Sequence, residues 1–259
     1  MIIFKGLKKF LSTVLIGLLL LICSAGLTGT QVSDAESKVI VVASTSWTGA
    51  IAAAAGADEV RILAPLELKH PPEYDYRPSD IAKLKEATAF VYAGYEPFVK
   101  KLLDASGFPP NKVFTVETTN VPAILEKQAR ILAAQFGTQA KERKWETRFN
   151  QVTAGILKRT EQKKLSLVKV LVQENQQAFV KWLGYNIVGV FSAEELSPAK
   201  VMEYAKLGSD LIIDNFHNPQ GMPIAEVAKC RYVELINFPS SKAPTLIDLF
   251  MENARQLGL

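Results

Sequence analysis

Two histidines occur in the 259-residue chain, His70 and His217. Each stands three residues from an acid: His70 precedes Glu73, and His217 follows Asp214 in the run DNFHNP. Imidazole nitrogen with carboxylate oxygen is a donor set for borderline divalent metals. A site assembled from His70, Glu73, Asp214 and His217 would favour zinc, with manganese or iron as further candidates, over magnesium, which wants six oxygens and keeps its waters. The competing reading places the two histidines at caps or on the surface of unrelated loops. The deciding fact is whether the fold brings His70 and His217 within reach of one another.

Other chemistry finds little support. The chain has no G-x-S-x-G elbow, no H-E-x-x-H pair and no phosphate-binding glycine loop, and its 15 glycines do not cluster. Cys230 reads as a small semi-buried thiol. Trp47, Tyr74, Tyr76, Tyr95 and Trp182 suit either packing between lobes or the floor of an apolar pocket. The expectation is a binding protein, not an enzyme.

The elements that must position the histidines follow from hydrophobic pattern. His70 sits in the stretch from Pro65 to Asp80, PLELKHPPEYDYRPSD. Pro71, Pro72 and Pro78 fix φ and remove amide donors, so this stretch is a stiff loop and not a helix or central strand. The apolar run VRIL leads into it and the helical pattern SDIAKLKE leads out, with Ser79 as the expected N-cap. Continuous apolar runs at 39–43, 60–63, 89–93 and 112–116 alternate with helical segments. That rhythm predicts a parallel sheet with helices on its faces. From Pro122 to Gln162 no strand pattern appears; Leu125, Ala129, Leu132 and Phe136, then Trp145, Phe149, Val152 and Ile156, recur at helical spacing, with Gly137 as an interruption. Strand runs return at 167–172, 187–190, 211–214 and 231–235. Ser197-Pro198 opens one helix, and Thr245 with Asp248 caps the last. In open α/β folds ligands bind beyond the carboxyl ends of the strands, which is where both histidine loops fall.

The loop from Pro71 to Asp80 resembles the metal-site loop of the periplasmic zinc/manganese-type solute-binding proteins of ABC transporters, whose pattern is close to P-H-x-Y-x-P-x-P-S-D. Tyr74 and Pro78-Ser79-Asp80 match it, while Pro72 stands at the family's ligand histidine. VVASTSW and VYAGYEPF also resemble segments of the family's first lobe, and the likeness runs in order through most of residues 39–257. The chain diverges at the metal ligands. Thr118 to Pro122 lack the family's second histidine, Gln176 replaces the third in H-x-A-F-x-Y, and Asn237 stands near the late acid. The resemblance implies two Rossmann-like α/β lobes with mostly parallel sheets, joined by a long connecting helix. It implies capture of a divalent metal in the inter-lobe cleft, delivery to an ABC permease in the membrane, and action as a monomer. The alternative is the same fold without metal binding, holding an organic ligand or a metal chelate.

Residues 1–25 have the layout of a signal peptide: Lys5, Lys8 and Lys9, an apolar run from Phe10 to Ile22, then Ser24 and Ala25. An uncleaved anchor is the competing reading. Cys23 raises lipidation as a third, although Ile22 stands where a lipidation box wants a small residue. Removing this segment lowers formal net charge from +4 to +1. A nearly neutral chain without a basic stripe gives no case for nucleic acid. The expected organisation is a signal peptide at 1–25, a flexible tether at 26–38, an N-terminal lobe at 39–121, a connecting helical region at 122–165 and a C-terminal lobe at 166–259. Export to the periplasm or cell surface follows from it.

Overall fold

The computed structural model describes residues 38–66, 68 and 70–259. The signal segment, and the tether up to residue 37, lie outside the described residues. Among the described residues eight strands form two sheets. In the first lobe they are β1 (Ile40–Ala43), β2 (Glu59–Ile62), β3 (Ala89–Tyr92) and β4 (Val113–Thr115), in the order β2-β1-β3-β4. In the second they are β5 (Lys169–Gln173), β6 (Asn186–Phe191), β7 (Leu211–Asn215) and β8 (Arg231–Leu235), in the order β6-β5-β7-β8. All neighbouring strands are parallel, so each lobe repeats one topology. Val41, Val42, Ala43, Val170, Leu171 and Val172 are wholly buried, as expected of strands covered on both faces.

The helices of the first lobe are α1 (Ser46–Ala54), α2 (Pro78–Lys85) and α3 (Pro97–Ser106). Helix α2 begins one residue before the expected cap: Pro78 occupies its first turn and Arg77 is the N-cap. Proline's fixed φ suits that first position, and the Asp80 carboxylate accepts from the Arg77 amide at 2.9 Å, so Ser79 is inside the helix.

The connection between lobes is two helices, not one. Helix α4 (Pro122–Phe136) ends at Gly137, whose φ of 73° is the left-handed conformation that glycine supplies without strain. Thr138 then caps α5 (Gln139–Gln162) and donates its hydroxyl to the Ala55 carbonyl at the end of α1. With 24 residues, α5 extends roughly 36 Å at 1.5 Å per residue. It touches α1 of the first lobe and α9 (Leu246–Gln256) of the second. Phe149 on α5 meets Phe250 on α9 edge-on at 5.0 Å and stacks on Trp145 at 4.9 Å. One apolar core runs from Val41 and Ile51 through Phe149 and Ile156 to Phe179 and Phe250. The lobes are therefore packed around a shared core.

The second lobe adds α6 (Gln177–Trp182), α7 (Pro198–Ala205) and α8 (Met222–Ala228) before α9. Ser197 caps α7, and Thr245 forms a capping box with Asp248, as the sequence predicts. Helix α8, unread in the sequence, follows Gly221, where a Cβ would lie 2.8 Å from the Phe191 ring and 3.0 Å from the Asp214 carboxylate. Among the described residues no helix is long and apolar enough to cross a membrane.

Candidate functional site

A cavity of about 480 Å³ lies between the lobes at the carboxyl ends of both sheets. Its walls come from the loop after nearly every strand: Thr45 after β1, His70 after β2, Tyr95 after β3, Asn120 after β4, Glu174 after β5, His217 after β7 and Asn237 after β8. The two histidines thus reach one cavity from opposite lobes.

The proline-rich loop is held in shape by Tyr74 and Asp80. Pro71–Glu73 form a single 3-10 turn, and Tyr74 is buried edge-on against Phe98 at 5.4 Å. The Tyr74 hydroxyl donates to Asp80 Oδ2 at 2.7 Å, and Lys83 reaches Asp80 Oδ1 at 2.8 Å. Burial alone would raise the Asp80 pKa; Lys83, the Arg77 amide and the Tyr74 hydroxyl outweigh it and hold the carboxyl below its usual range. Burial, reinforced by the hydrogen bond to Asp80 and its charge, pushes the Tyr74 phenol up to about 12. The matched tyrosine and Pro-Ser-Asp are thus a clamp that presents His70 and Pro71 to the cleft. Glu73 is exposed on the turn and does not line the cavity.

Asp214 is likewise a clamp. It is fully buried at the end of β7 and accepts from five donors: Gln173 Nε2, the amides of Asn215, Gln220 and Gly221, and the Tyr232 hydroxyl. These bonds tie down the loop that carries His217, and they leave the carboxylate no role in the cavity wall. Burial, then the Asp214 charge, raises the Tyr232 phenol well above its ordinary pKa.

His217 stacks on Phe238 with ring centroids 3.7 Å apart. Its Nδ1 faces the Asn237 amide at 3.5 Å, the long limit of a hydrogen bond. In a neutral ring that polarity places the proton on Nε2, so coordinating a metal through Nε2 would need the other tautomer.

Asn120 and Asn237 line the cavity, and Gln176 is buried nearby, donating to the Leu235 carbonyl at 3.1 Å. Asn120 Oδ1, Gln176 Oε1 and Trp47 Nε1 are buried without a hydrogen-bond partner. The structure does not bring Glu73 or Asp214 to the two histidines, and among the described residues no three His, Cys, Asp or Glu are grouped to hold a metal. The sequence reading passed over Asn120 as a wall residue. Its signal was the polar run TTN between β4 and Pro122.

The family model described as "ZnuA: Zinc-uptake complex component A periplasmic" matches residues 41–142. No curated protein matches the chain in sequence. Among solved structures, the Mn-bound periplasmic metal binding protein from Candidatus Liberibacter asiaticus superposes with a TM-score of 0.64 at 14% identity, covering 85% of this chain and 98% of that one. Its Cd-bound form gives the same values. The laminin binding protein (Lmb) of Streptococcus agalactiae, described as bifunctional with adhesin and metal transporting activity, gives 0.63 at 16% identity, with coverage of 85% and 97%. Over residues 41–142 the chain carries the sequence signature of the zinc-uptake periplasmic component, and over the described residues it has the two-lobed α/β fold of the periplasmic metal-binding proteins.

Proposed function

We propose that this chain is the extracytoplasmic substrate-binding component of a metal-ion ABC transporter. It takes up a divalent metal, zinc before manganese or iron, in the inter-lobe cleft and hands it to a membrane permease. It works as a monomer and by binding and release, without catalysis. The observation that carries this reading is that His70 and His217 line one cavity from opposite lobes. The two imidazoles supply the protein nitrogens. Asp214 and the Tyr74–Asp80 pair position the loops that present them.

A metal-free solute site on the same fold is the competing reading. Gln176 and Asn237 at the expected ligand positions, and the absence of histidine from Thr118 to Pro122, favour it, because amide oxygens are weak zinc ligands. Calorimetric titration with zinc, manganese and ferrous iron separates the two. Metal binding by the unaltered chain, lost in the double variant His70→Ala, His217→Ala, supports metal capture. The absence of binding by zinc, manganese and iron supports the metal-free reading.

A further inference from the structure

Folding turns the charged run of α5 into a one-sided surface. At 3.6 residues per turn, Phe149, Thr153, Ile156 and Thr160 fall on one stripe of the helix, and all four are buried. Arg143, Lys144, Arg148, Lys158 and Arg159 fall within an arc of roughly 160° on the opposite side. All of them are exposed. Two acids that interleave with them in the chain are drawn off this face: Glu142 is buried, and Glu146 lies 3.7 Å from the Arg130 guanidinium on α4. Glu161 is the one exposed acid of the helix. Lys163 and Lys164 carry the cationic face past the helix end. Among the described residues none of these cations is in an ion pair.

Helix stability does not account for this pattern. The helix dipole favours cations in the last turn, which covers Arg159 and the lysines after it. Arg143, Lys144 and Arg148 stand in the first half, where the dipole gives no such support. An apolar tip adjoins the cations. Lys164 has a left-handed φ of 52°, and the chain leaves α5 through a 3-10 turn, Leu165–Leu167. Leu165 is buried and anchors the turn, whereas Leu167 is 72% exposed, the most exposed large apolar side chain among the described residues. Lys169, also exposed, follows it. A leucine flanked by lysines suits an anionic membrane surface: the charges attract headgroups, and the apolar chain enters the boundary beneath them. Nucleic acid fits less well, because neither α5 nor the turn exposes an aromatic ring on which a base could stack.

Beyond metal capture, and independently of it, we infer that the outward face of α5 and the Leu165–Leu167 turn dock the protein on an anionic lipid surface. Arg143, Lys144 and Arg148 meet headgroup phosphates at one end. Lys158, Arg159, Lys163 and Lys164 meet them at the other, roughly 30 Å away. Leu167 enters the headgroup layer beside the second group. The attachment is chiefly electrostatic, so salt weakens it. No residue of α5 or of the turn lines the cavity between the lobes, so docking and metal capture use separate side chains.

The test is co-sedimentation of the compact unit Lys38–Leu259, which holds both sheets and the shared core and leaves out the apolar run Phe10–Ile22, with lipid vesicles. One set of vesicles is phosphatidylcholine alone, and the other is an equal mixture with phosphatidylglycerol. Binding is expected to the mixed vesicles only, and to weaken about tenfold when salt rises to about 0.3 M. Two triple variants carry the same change in charge. Arg143→Glu, Lys144→Glu, Lys158→Glu alters α5, and Lys100→Glu, Lys101→Glu, Lys112→Glu alters exposed sites of the first lobe. The α5 variant should weaken binding about tenfold or more, and the first-lobe variant by less than about threefold. Leu167→Ser should weaken it about threefold. Thermal melts confirm that each variant folds. No preference for the mixed vesicles, or the same loss in both triple variants, would overturn the inference. So would unchanged binding in Leu167→Ser, or a short DNA duplex bound as tightly as the mixed vesicles, which would mark a surface for any polyanion.

Discussion

Asn120 donates its side-chain amide to the Asn237 carbonyl at 2.8 Å, joining the loop after β4 in one lobe to the loop after β8 in the other. The bond lies on the cavity wall and ties the two lobes together there. Asn120→Ala is expected to destabilise the chain by about 1 kcal/mol, the usual worth of a neutral hydrogen bond. The same variant should speed amide exchange in the Ile236–Phe238 segment. Unchanged exchange there would show that the shared core alone holds the lobes together.

Asp214→Asn tests the clamp under His217. The amide nitrogen would face groups that donate, and the remaining oxygen serves fewer of the five donors. A loss of roughly 2–4 kcal/mol in urea unfolding is expected, as for the breaking of a buried charged network. A loss under 1 kcal/mol would show the cage to be dispensable.

The Tyr74–Asp80 clamp makes a pH prediction. Asp80 has its pKa lowered in the folded chain, from an ordinary 3.8. Its contribution to stability is present above that value and is lost as pH falls through the folded pKa below it. Asp80→Asn should therefore lower stability at pH 7, with the gap to the parent closing only as pH falls below 3.8, while Tyr74→Phe costs about 1–2 kcal/mol. A constant gap from pH 7 down to the acid transition would contradict the assignment.

Glu142, buried on α5 with Oε1 unpartnered, is the opposite case. Burial, then the charge of Glu146 and a hydrogen bond to it, raises its pKa above the ordinary 4.5, against the opposing charge of Arg130. A raised carboxyl contributes stability below its unfolded pKa, and that contribution is lost as pH rises through the folded value. Glu142→Gln keeps the shape and removes the charge. It should raise stability by about 1 kcal/mol at pH 7.5 and have no effect near pH 4, read from thermal melts at both values. A lower melting temperature at pH 7.5 would show that the ionised form is needed.

Much of the fold was legible in the sequence because buried parallel strands write themselves as continuous apolar runs. VIVVA, AFVYA and LIID could hardly lie elsewhere than between helix layers. The capping pair Thr245 and Asp248 marked the last helix for the same local reason. Gly137 was read as a kink or an interruption; its left-handed φ ends one helix before another starts, and one glycine in a helical pattern does not distinguish a kink from a cap. Helix α8 escaped because Met222–Ala228 has only seven residues, too few to display a period.

The candidate site was legible in part. His70 and His217 could be paired because strand-end loops converge in this topology. The acids beside them could not be judged from spacing. Glu73 is exposed on a 3-10 turn outside the cavity lining, and Asp214 is enclosed by backbone amides that come from its own loop. Whether a carboxylate faces a cavity or its own loop depends on side-chain direction at one residue, and sequence proximity to a histidine does not encode it.

The most direct test of metal capture between the lobes is anomalous diffraction at the zinc edge from crystals grown with a zinc salt. The account predicts one principal peak in the inter-lobe cavity, within coordination distance of nitrogens of both His70 and His217. A principal peak outside that cavity, or no peak with the cleft ordered, would contradict it.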